Sequence, residues 1–338
     1  MHDWLQRVWY GGARSGLVLV PLSWLFGFVV ATRRLLYRVG VLRAHRANVP
    51  VVVVGNLTVG GTGKTPLTVW LAARLRERGM RPGIVLRGYG RVSSRSQLVQ
   101  ADSSAESVGD EALVLSRRCQ CPVAVGADRV AAARLLTDVD VIIADDGLQH
   151  LRLARDVEIG VVDSMRGFGN GRLLPAGPLR ESRARLHSVD AVVVNGSRAG
   201  EEHVFPNPNR FGMMLEPRAA VSLQDGQSRP LREFALRPVH AVAAIGNPAR
   251  FFALLRSYDL EPIEHGLPDH APIARRDVDF GDGLDVLMTE KDAVKCKAAP
   301  GLRLWYVPVD AAVNPDQGNA LVDLVLERVR AQPGVADR

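Results

Sequence analysis

Several features that mark particular classes of protein are scarce or missing in this chain of 338 residues. It has three cysteines, an odd number, and the closely spaced Cys119 and Cys121 lack the second pair of ligands that a zinc site needs. Internal repeats and low-complexity tracts are also missing. A hydrophobic content of 47% with 23% charged residues then excludes disordered and collagen-like chains. We expect a globular protein of up to two domains with reduced thiols in a cytosolic compartment.

Acidic residues are nearly missing from the first 50 residues, which contain seven arginines and a single acid, Asp3. The whole chain carries a formal net charge of +7, so this short region accounts for almost all of it. A protein built to bind nucleic acid would spread its basic excess over the body or along a recognition element. The distribution therefore argues against nucleic acid as a partner.

A helix that spans a membrane perpendicularly needs about 20 apolar residues, and the chain lacks an apolar run of that length. An apolar run without charge covers residues 16–31, between Arg14 and the basic group Arg33, Arg34 and Arg38. Because arginines flank the run on both sides, the positive-inside rule gives no orientation for it in a membrane. The end of the run also lacks a signal-peptide cleavage site. We expect a helix at a membrane surface, because such helices combine an apolar body with arginines that reach anionic headgroups. A short anchor and a buried core helix are the alternatives.

From residue 49 onward, short apolar strands alternate with amphipathic helices. The predicted strands are 49–54, 84–86, 123–125, 139–144, 157–162 and 191–194. The predicted helices are 66–78, 108–118 and 128–136. This alternation predicts an α/β fold with βαβ units and a mostly parallel sheet flanked by helices.

A glycine-rich segment, GNLTVGGTGKT at residues 55–65, connects the first strand to the first helix. In such a P-loop, backbone N–H groups surround phosphate oxygens, the lysine contacts the β and γ phosphates, and the threonine hydroxyl binds Mg²⁺. Thr58 stands where the usual pattern has its first glycine, and Gly60 and Gly61 can supply the missing backbone freedom. The predicted nucleotide-binding residues are Thr58, Val59, Gly60, Gly61, Thr62, Gly63, Lys64 and Thr65.

The strand predicted at 139–144 is followed by two aspartates, Asp145 and Asp146. P-loop NTPases use an acid at such a strand end to hold Mg²⁺ or its waters opposite the P-loop hydroxyl. Adjacent acids point to opposite sides of a strand end, so one can face the metal while the other orients another group. Capping of the next turn is the alternative role. The predicted Mg²⁺ ligands are Thr65, Asp145, Asp146 and Glu111.

The pattern of strands and helices changes after about residue 200, at the turn-rich segment 206–209. Beyond it we predict strands at 239–245, 285–288 and 304–307 and helices at 248–258 and 321–329. The sequence thus predicts three regions. They are a membrane-anchoring basic and apolar helix at 1–48, a P-loop core domain at 49–200, and a smaller C-terminal α/β domain at 201–338.

Six motifs occur in a fixed order along the chain: GNLTVGGTGKTP (55–66), LRGYGR (86–91), GDE (109–111), DDGLQH (145–150), LLPAGPLRE (173–181) and TEKDAVK (289–295). With the basic apolar helix ahead of them, they closely resemble the tetraacyldisaccharide 4′-kinase family of the lipid A pathway. The resemblance implies transfer of the γ-phosphate of ATP, with Mg²⁺, to the 4′-hydroxyl of a tetraacylated glucosamine disaccharide 1-phosphate, giving lipid IVA. It also implies action on this anionic lipid at the cytoplasmic face of the inner membrane, without an obligate protein partner.

Phosphoryl transfer to a sugar hydroxyl needs a base near the acceptor oxygen. The family is similar in pairing an aspartate with a histidine for this purpose, and the matching positions here are Asp110 and His270. Lys64 and Asp146 complete the predicted catalytic set. A second group is predicted to bind the substrate, and its arginines are predicted to clamp the 1-phosphate or to balance transition-state charge. Its members are Arg87, Arg129, Arg180, Glu181, Gln149 and His150.

The sequence leaves two alternatives. The TEKD segment, residues 289–292, could contact nucleotide or support the second domain, and we favour support. A membrane-associated P-loop switch or metal-chaperone NTPase is the alternative function, although the segment lacks the spacing of a guanine-binding Asn/Thr-Lys-x-Asp motif. The near-neutral body argues against a nucleic-acid-dependent ATPase.

Overall fold

Two β-sheets organise the computed structural model, which describes residues 2–11, 14–197 and 207–331. The strands, in chain order, are β1 Val51–Gly55, β2 Pro82–Leu86, β3 Gln97–Leu98, β4 Val123–Val125, β5 Val141–Asp145, β6 Val157–Asp163, β7 Ala191–Asn195, β8 Arg210–Pro217, β9 Ala220–Ser222, β10 Ser228–Arg229, β11 Val239–Ala243, β12 Pro262–Gly266, β13 Asp285–Thr289, β14 Arg303–Val307 and β15 Val309–Val313. The α-helices are α1 His2–Tyr10, α2 Val20–Arg38, α3 Lys64–Glu77, α4 Ala105–Val108, α5 Asp110–Cys119, α6 Arg129–Ala133, α7 Pro248–Arg256, α8 Glu290–Ala293 and α9 Pro315–Arg330. Short 3₁₀ turns occupy Arg14–Leu19, Arg183–His187, Leu231–Leu236 and Arg275–Asp277.

The large sheet has the order β15-β8-β7-β6-β1-β5-β2-β4-β3. Its interior pairs are parallel, while β15 and β3 lie antiparallel at the two edges. Every residue of β1 is buried, and its alternating valines pack into two separate cores, one on each face of the sheet. The β-branched run therefore forms a strand covered on both sides, as predicted.

The small sheet has the order β10-β9-β14-β13-β11-β12. Strands β14, β13, β11 and β12 are parallel neighbours, and β9 and β10 add antiparallel pairs at one edge. The sheet packs against α7 and the turn Leu231–Leu236 around Phe234, Phe251 and Trp305. A second α/β unit is therefore present, as the sequence predicted.

The extent of this second unit differs from the predicted division at residue 200. Strand β8 extends the large sheet beyond β7, and β15 returns to pair with β8 from Val309 opposite Pro217 to Val313 opposite Met213. Helix α9 then packs Leu321 and Val325 into the same core as β1. The small-sheet unit therefore runs from β9 to β14. Sequence periodicity identifies a strand locally, but it does not reveal which sheet the strand joins.

The N-terminal helix α2 lies on the body of the protein with most of its apolar surface exposed. The Ser23 hydroxyl donates to the Leu173 carbonyl (2.8 Å) and accepts from the Ala176 N–H (2.9 Å). On the open side, Trp24 is 74% exposed and Phe28 69% exposed. The alternative of a buried core helix is therefore excluded. By length and composition, residues 16–38 could cross a bilayer, since an 18-residue window within them has a mean hydropathy of 1.7 and is 11% buried. This exposed apolar helix is consistent with membrane association.

Candidate active site

The P-loop lies between the buried end of β1 and the start of α3 at Lys64. Asn56 is fully buried and ties the loop together, since its Nδ2 donates to the Thr58 carbonyl (2.8 Å) and its Oδ1 accepts from Lys64 Nζ (3.2 Å). Gly63 has a φ of 93°, and a Cβ there would lie 2.7 Å from Asn195 Nδ2. Position 63 therefore requires glycine both for its conformation and for its space. Asn56 and Asn195, two buried asparagines that contact the P-loop, were not identified from the sequence.

The structure explains why the P-loop can begin with Thr58 in place of glycine. Thr58 forms an antiparallel β-bridge with Leu179, and the Val59 N–H donates to the Pro178 carbonyl (2.9 Å). An extended residue in a bridge needs no positive φ, so a β-branched side chain fits there. The LLPAGPLRE motif thus supports the first half of the P-loop directly.

Asp145 and Asp146 diverge at the end of β5, as expected for consecutive residues. Asp145 is 2% exposed and accepts from the Thr68 hydroxyl (3.3 Å). Burial, with the nearby charge of Glu111, raises the pKa of Asp145 to about 7. Asp146 has a φ of 48° and turns toward the P-loop, where its Oδ1 lies 3.6 Å from Lys64 Nζ.

Asp146 is the ionised member of this pair. Arg180 Nη1 donates to both of its carboxylate oxygens at 3.0 Å. Partial burial opposes ionisation, but Lys64 and Arg180 hold the pKa of Asp146 well below its usual range. Asp146 is therefore a fixed negative charge beside the P-loop lysine at neutral pH.

Asp110 and His270 meet across the gap between the two sheets. Asp110 begins α5 of the large-sheet unit and is 5% exposed, and its Oδ2 lies 2.9 Å from His270 Nδ1 in the loop after β12. The ring of Tyr89, in the LRGYGR motif, lies with its centroid 4.9 Å from that of His270. The hydrogen bond to Asp110 raises the pKa of His270 against the opposing effect of burial. Burial acts to raise the pKa of Asp110, but His270 and Lys291 hold it below its usual range.

A second contact between the units lies next to the first. Lys291, on α8, bonds the Glu111 carboxylate, and the adjacent Asp292 is fully buried, accepting from the Thr289 hydroxyl (2.6 Å) and the Ala244 N–H (3.1 Å). The TEKDAVK motif therefore supports the small-sheet unit and places one cation against the acidic residues of the other unit. Sequence reasoning did not assign Lys291 to the site, because its partner lies 180 residues away.

The loops of the small-sheet unit reach over the P-loop. A Cβ on Gly246 would lie 3.8 Å from the Gly60 Cα and 3.1 Å from Asp269 Oδ2. Asp269 directly precedes His270 in the sequence. The Asp110–His270 pair and the P-loop therefore lie along one boundary between the two units, which we call the cleft.

The six residues predicted to bind the lipid take different positions. Arg180, Gln149 and Glu181 form a connected group, since Gln149 Nε2 donates to Glu181 Oε1 (2.9 Å) and Gln149 Oε1 accepts from Arg180 Nη1 (3.4 Å). Arg129 is buried and donates to the carbonyls of Asp145 (3.3 Å) and Asp146 (3.0 Å), so it holds the backbone of the turn.

The other two members differ in charge and exposure. Burial and nearby Arg129 lower the pKa of His150 to about 4, which leaves its ring neutral at pH 7. Arg87 is exposed and lies close enough to Arg129 to repel its charge. Arg87 is therefore available to an anion from solution, whereas the neutral ring of His150 can contribute a hydrogen bond but no positive charge.

The predicted Mg²⁺ ligands, Thr65, Asp145, Asp146 and Glu111, stay a prediction for a metal shared with phosphate. Within the described parts of the chain, no group of three or more His, Cys, Asp or Glu side chains forms a metal cage. Mg²⁺ usually keeps waters and takes one or two carboxylates together with substrate phosphates, so a cage is not required. The repulsion between Asp145 and Glu111 is the kind of local charge that a divalent cation stabilises.

Removal of the Lys291 ammonium tests the contact between the two units. Lys291→Met leaves Glu111 and Asp110 without their shared cation, so we expect a loss of about 1.5–3 kcal/mol in the free energy of unfolding, as for hydrogen bonds to charged groups. We also expect a fall in kcat larger than any change in KM for ATP. Chemical denaturation and steady-state kinetics measure both. Lys297→Met, an exposed position in the same segment, is the control, and equal effects in the two variants would contradict the assignment.

Comparison with known proteins gives one assignment over nearly the whole chain. A family model described as tetraacyldisaccharide-1-P 4′-kinase matches residues 15–329. The tetraacyldisaccharide 4′-kinase of Nitrosococcus oceani is 46% identical over 330 residues, covering 96% of this chain and 95% of that protein. The protein of the same name from Hahella chejuensis is 48% identical over 323 residues, covering 93% and 94%.

A solved structure shares the α/β fold. It is the "apo" form of LpxK from Aquifex aeolicus in complex with ATP, and it is 28% identical, with a TM-score of 0.76, covering 93% of this chain and 99% of that one. The predicted fold class is thus confirmed, and the alternative of a switch or metal-chaperone NTPase is not favoured. The chain belongs to the tetraacyldisaccharide 4′-kinase family, and it is a kinase.

Proposed function

We propose that this kinase transfers the γ-phosphate of ATP, with Mg²⁺, to the 4′-hydroxyl of a tetraacyl glucosamine disaccharide 1-phosphate, giving lipid IVA. We propose further that it does so at the cytoplasmic face of the inner membrane. The observation that carries the proposal is the Asp110–His270 pair, 2.9 Å apart, in the cleft that the P-loop borders. A nucleotide-hydrolysing switch has no need of a base aimed at an acceptor hydroxyl, whereas a kinase does.

The P-loop side of the cleft holds the nucleotide. Lys64 supplies a point charge for the β and γ phosphates, and Asn56 and Asp146 hold its ammonium in place at 3.2 and 3.6 Å. Thr65, Asp145, Asp146 and Glu111 are the residues that would hold Mg²⁺. When bound, the metal would neutralise phosphate charge as the γ-phosphoryl group leaves ADP.

The other side of the cleft activates the acceptor. Asp110 receives hydrogen bonds from His270 and from the Glu111 N–H (2.8 Å), which leaves lone pairs on its carboxylate for the sugar hydroxyl. The carboxylate takes the hydroxyl proton as the oxygen attacks phosphorus. His270 fixes the orientation of Asp110, and its ring shares the change in charge.

The exposed apolar surface of α2 and its basic flanks supply the membrane contact. Aliphatic and aromatic side chains reach the acyl boundary while arginines meet anionic headgroups. The acceptor is itself an anionic lipid in that membrane, so docking and substrate supply occur at one surface.

Deleting residues 1–45 is expected to abolish vesicle binding and lipid turnover together. Retention of both would contradict this role.

A labelling experiment tests the reaction. Purified protein is incubated with γ-labelled ATP and Mg²⁺, with and without the lipid disaccharide 1-phosphate. We expect label in the lipid, and little hydrolysis without it. Hydrolysis that is independent of lipid, with no labelled lipid, would support the switch and overturn the kinase proposal for this substrate.

The pH dependence of kcat tests the base. While His270 is protonated, its charge holds the pKa of Asp110 low and makes the carboxylate a weak base. Because Asp110 raises the pKa of His270, we expect kcat to rise with pH through an inflection above the ordinary histidine value of 6.5. In His270→Asn this inflection should disappear and the acid limb should move to lower pH. An unchanged profile would assign the titration to another group.

A further inference from the structure

A continuous series of side chains connects the N-terminal helix α2 to the P-loop lysine. It begins at Arg34, whose Nη1 lies 3.3 Å from Glu181 Oε2. The other oxygen of Glu181 accepts from Gln149 Nε2 (2.9 Å), and Gln149 Oε1 accepts from Arg180 Nη1 (3.4 Å). The first half of the series therefore extends from the surface helix α2 into the body of the protein.

The second half ends at the phosphate site. Arg180 Nη1 donates to both oxygens of Asp146 at 3.0 Å, and Asp146 Oδ1 lies 3.6 Å from Lys64 Nζ. Six side chains thus join α2 to the group that contacts the transferred phosphate. We name this series the Arg34–Lys64 relay.

Glu181 is the member on which the relay depends. Its side chain is 4% exposed, so its charge must be balanced by neighbouring donors. Arg185 Nε lies 3.6 Å away, but Arg185 also bonds Glu158, which divides its charge between two carboxylates. Arg34 is the cation that α2 contributes. Without it, Glu181 attracts Gln149 and Arg180 more strongly, and Asp146 loses the partner that fixes its orientation.

We propose that Arg34 is a positioning residue that couples the seating of α2 to the orientation of Asp146 beside Lys64. Full phosphoryl-transfer rate then requires the contact of Arg34 with Glu181, which α2 makes where it lies on the body of the protein. The inference rests on the proposed kinase function. It differs from membrane docking, since it concerns the inward contact of Arg34 and not the outward face of the helix.

The test compares Arg34→Gln with two controls. Arg43→Gln removes a positive charge at an exposed position just beyond α2. Ser23→Ala removes the hydrogen bonds of Ser23 with Leu173 and Ala176 but leaves the relay intact. Each variant is assayed for kcat, for KM of ATP and of the lipid disaccharide, for co-sedimentation with anionic vesicles, and for thermal stability.

We expect kcat of Arg34→Gln to fall by about tenfold, in the range of measured couplings between sites, while KM for the lipid and vesicle binding match those of Arg43→Gln. Ser23→Ala should lose thermal stability with a smaller loss of kcat. Arg34→Lys, which keeps the charge beside Glu181, should recover most of the rate.

Two results would overturn the relay. One is a normal kcat in Arg34→Gln with a raised KM for the lipid, which would make Arg34 a lipid contact. The other is an equal loss of kcat in Arg34→Gln and Ser23→Ala, which would reduce the effect to seating of the helix. If the wild-type protein itself labels no lipid, the proposed function fails, and that outcome is distinct from both.

Discussion

Lys64→Ala is expected to abolish phosphorylation of the lipid disaccharide while the protein stays folded. Lys64 is the cation at the start of α3, held by Asn56 (3.2 Å) and Asp146 (3.6 Å) in a loop closed by Gly63. Charge that develops on the transferred phosphoryl group is stabilised by such pre-placed cations, and removal of a single donor of this kind typically costs about 10²–10³ in kcat. A larger effect is expected here because Lys64 also organises Asp146.

The companion variant Asp146→Ala should have a comparable effect for a different reason. It removes the carboxylate that orients Lys64 and Arg180, and it removes one of the proposed Mg²⁺ ligands. Circular dichroism and thermal melts separate loss of chemistry from loss of fold, and Lys297→Ala at an exposed position serves as the matched lysine control. Full turnover by both Lys64→Ala and Asp146→Ala would remove the phosphate and metal assignments together.

The fold around this loop was accessible from the sequence because its signals are local. A buried strand produces a run such as the valines at 51–54, and a P-loop produces glycines followed by Lys64 within a dozen residues. The sequence shows that Thr58 replaces the first glycine of the P-loop, but it does not show how the loop accommodates threonine. Its explanation, the bridge to Leu179, joins segments about 120 residues apart and leaves no periodic trace in either of them.

The Asp110–His270 side of the cleft shows more clearly what cannot be predicted from the sequence. The GDE and TEKDAVK motifs were recognised, yet the bond between Glu111 and Lys291 was not, because composition and spacing carry no information on which loops of two units face each other. The Asp110–His270 pairing was expected only through the family resemblance. The return of β15 and α9 to the large sheet was missed for the same reason.

Asp110→Asn is expected to lower kcat far more than it changes the affinity for ATP. The side chain keeps its size, and its amide oxygen can still accept from His270 Nδ1, so the contact between the two units is retained. The variant nevertheless lacks a carboxylate that can take the proton of the 4′-hydroxyl. Loss of a general base typically costs about 10²–10⁴ in rate, and the nucleotide, bound on the opposite side of the cleft, should keep a KM close to that of the wild type.

Asp269→Asn provides the control for this prediction. Asp269 is 41% exposed in its side chain and lies 3.7 Å from His270 Nε2, so it contributes charge to the same histidine without the buried bond that Asp110 makes. Its replacement should have a much smaller effect on kcat. A loss confined to KM for ATP in Asp110→Asn would assign Asp110 to nucleotide binding. Equal losses of kcat in the two variants would show that the general charge around His270, and not a base at Asp110, sets the rate.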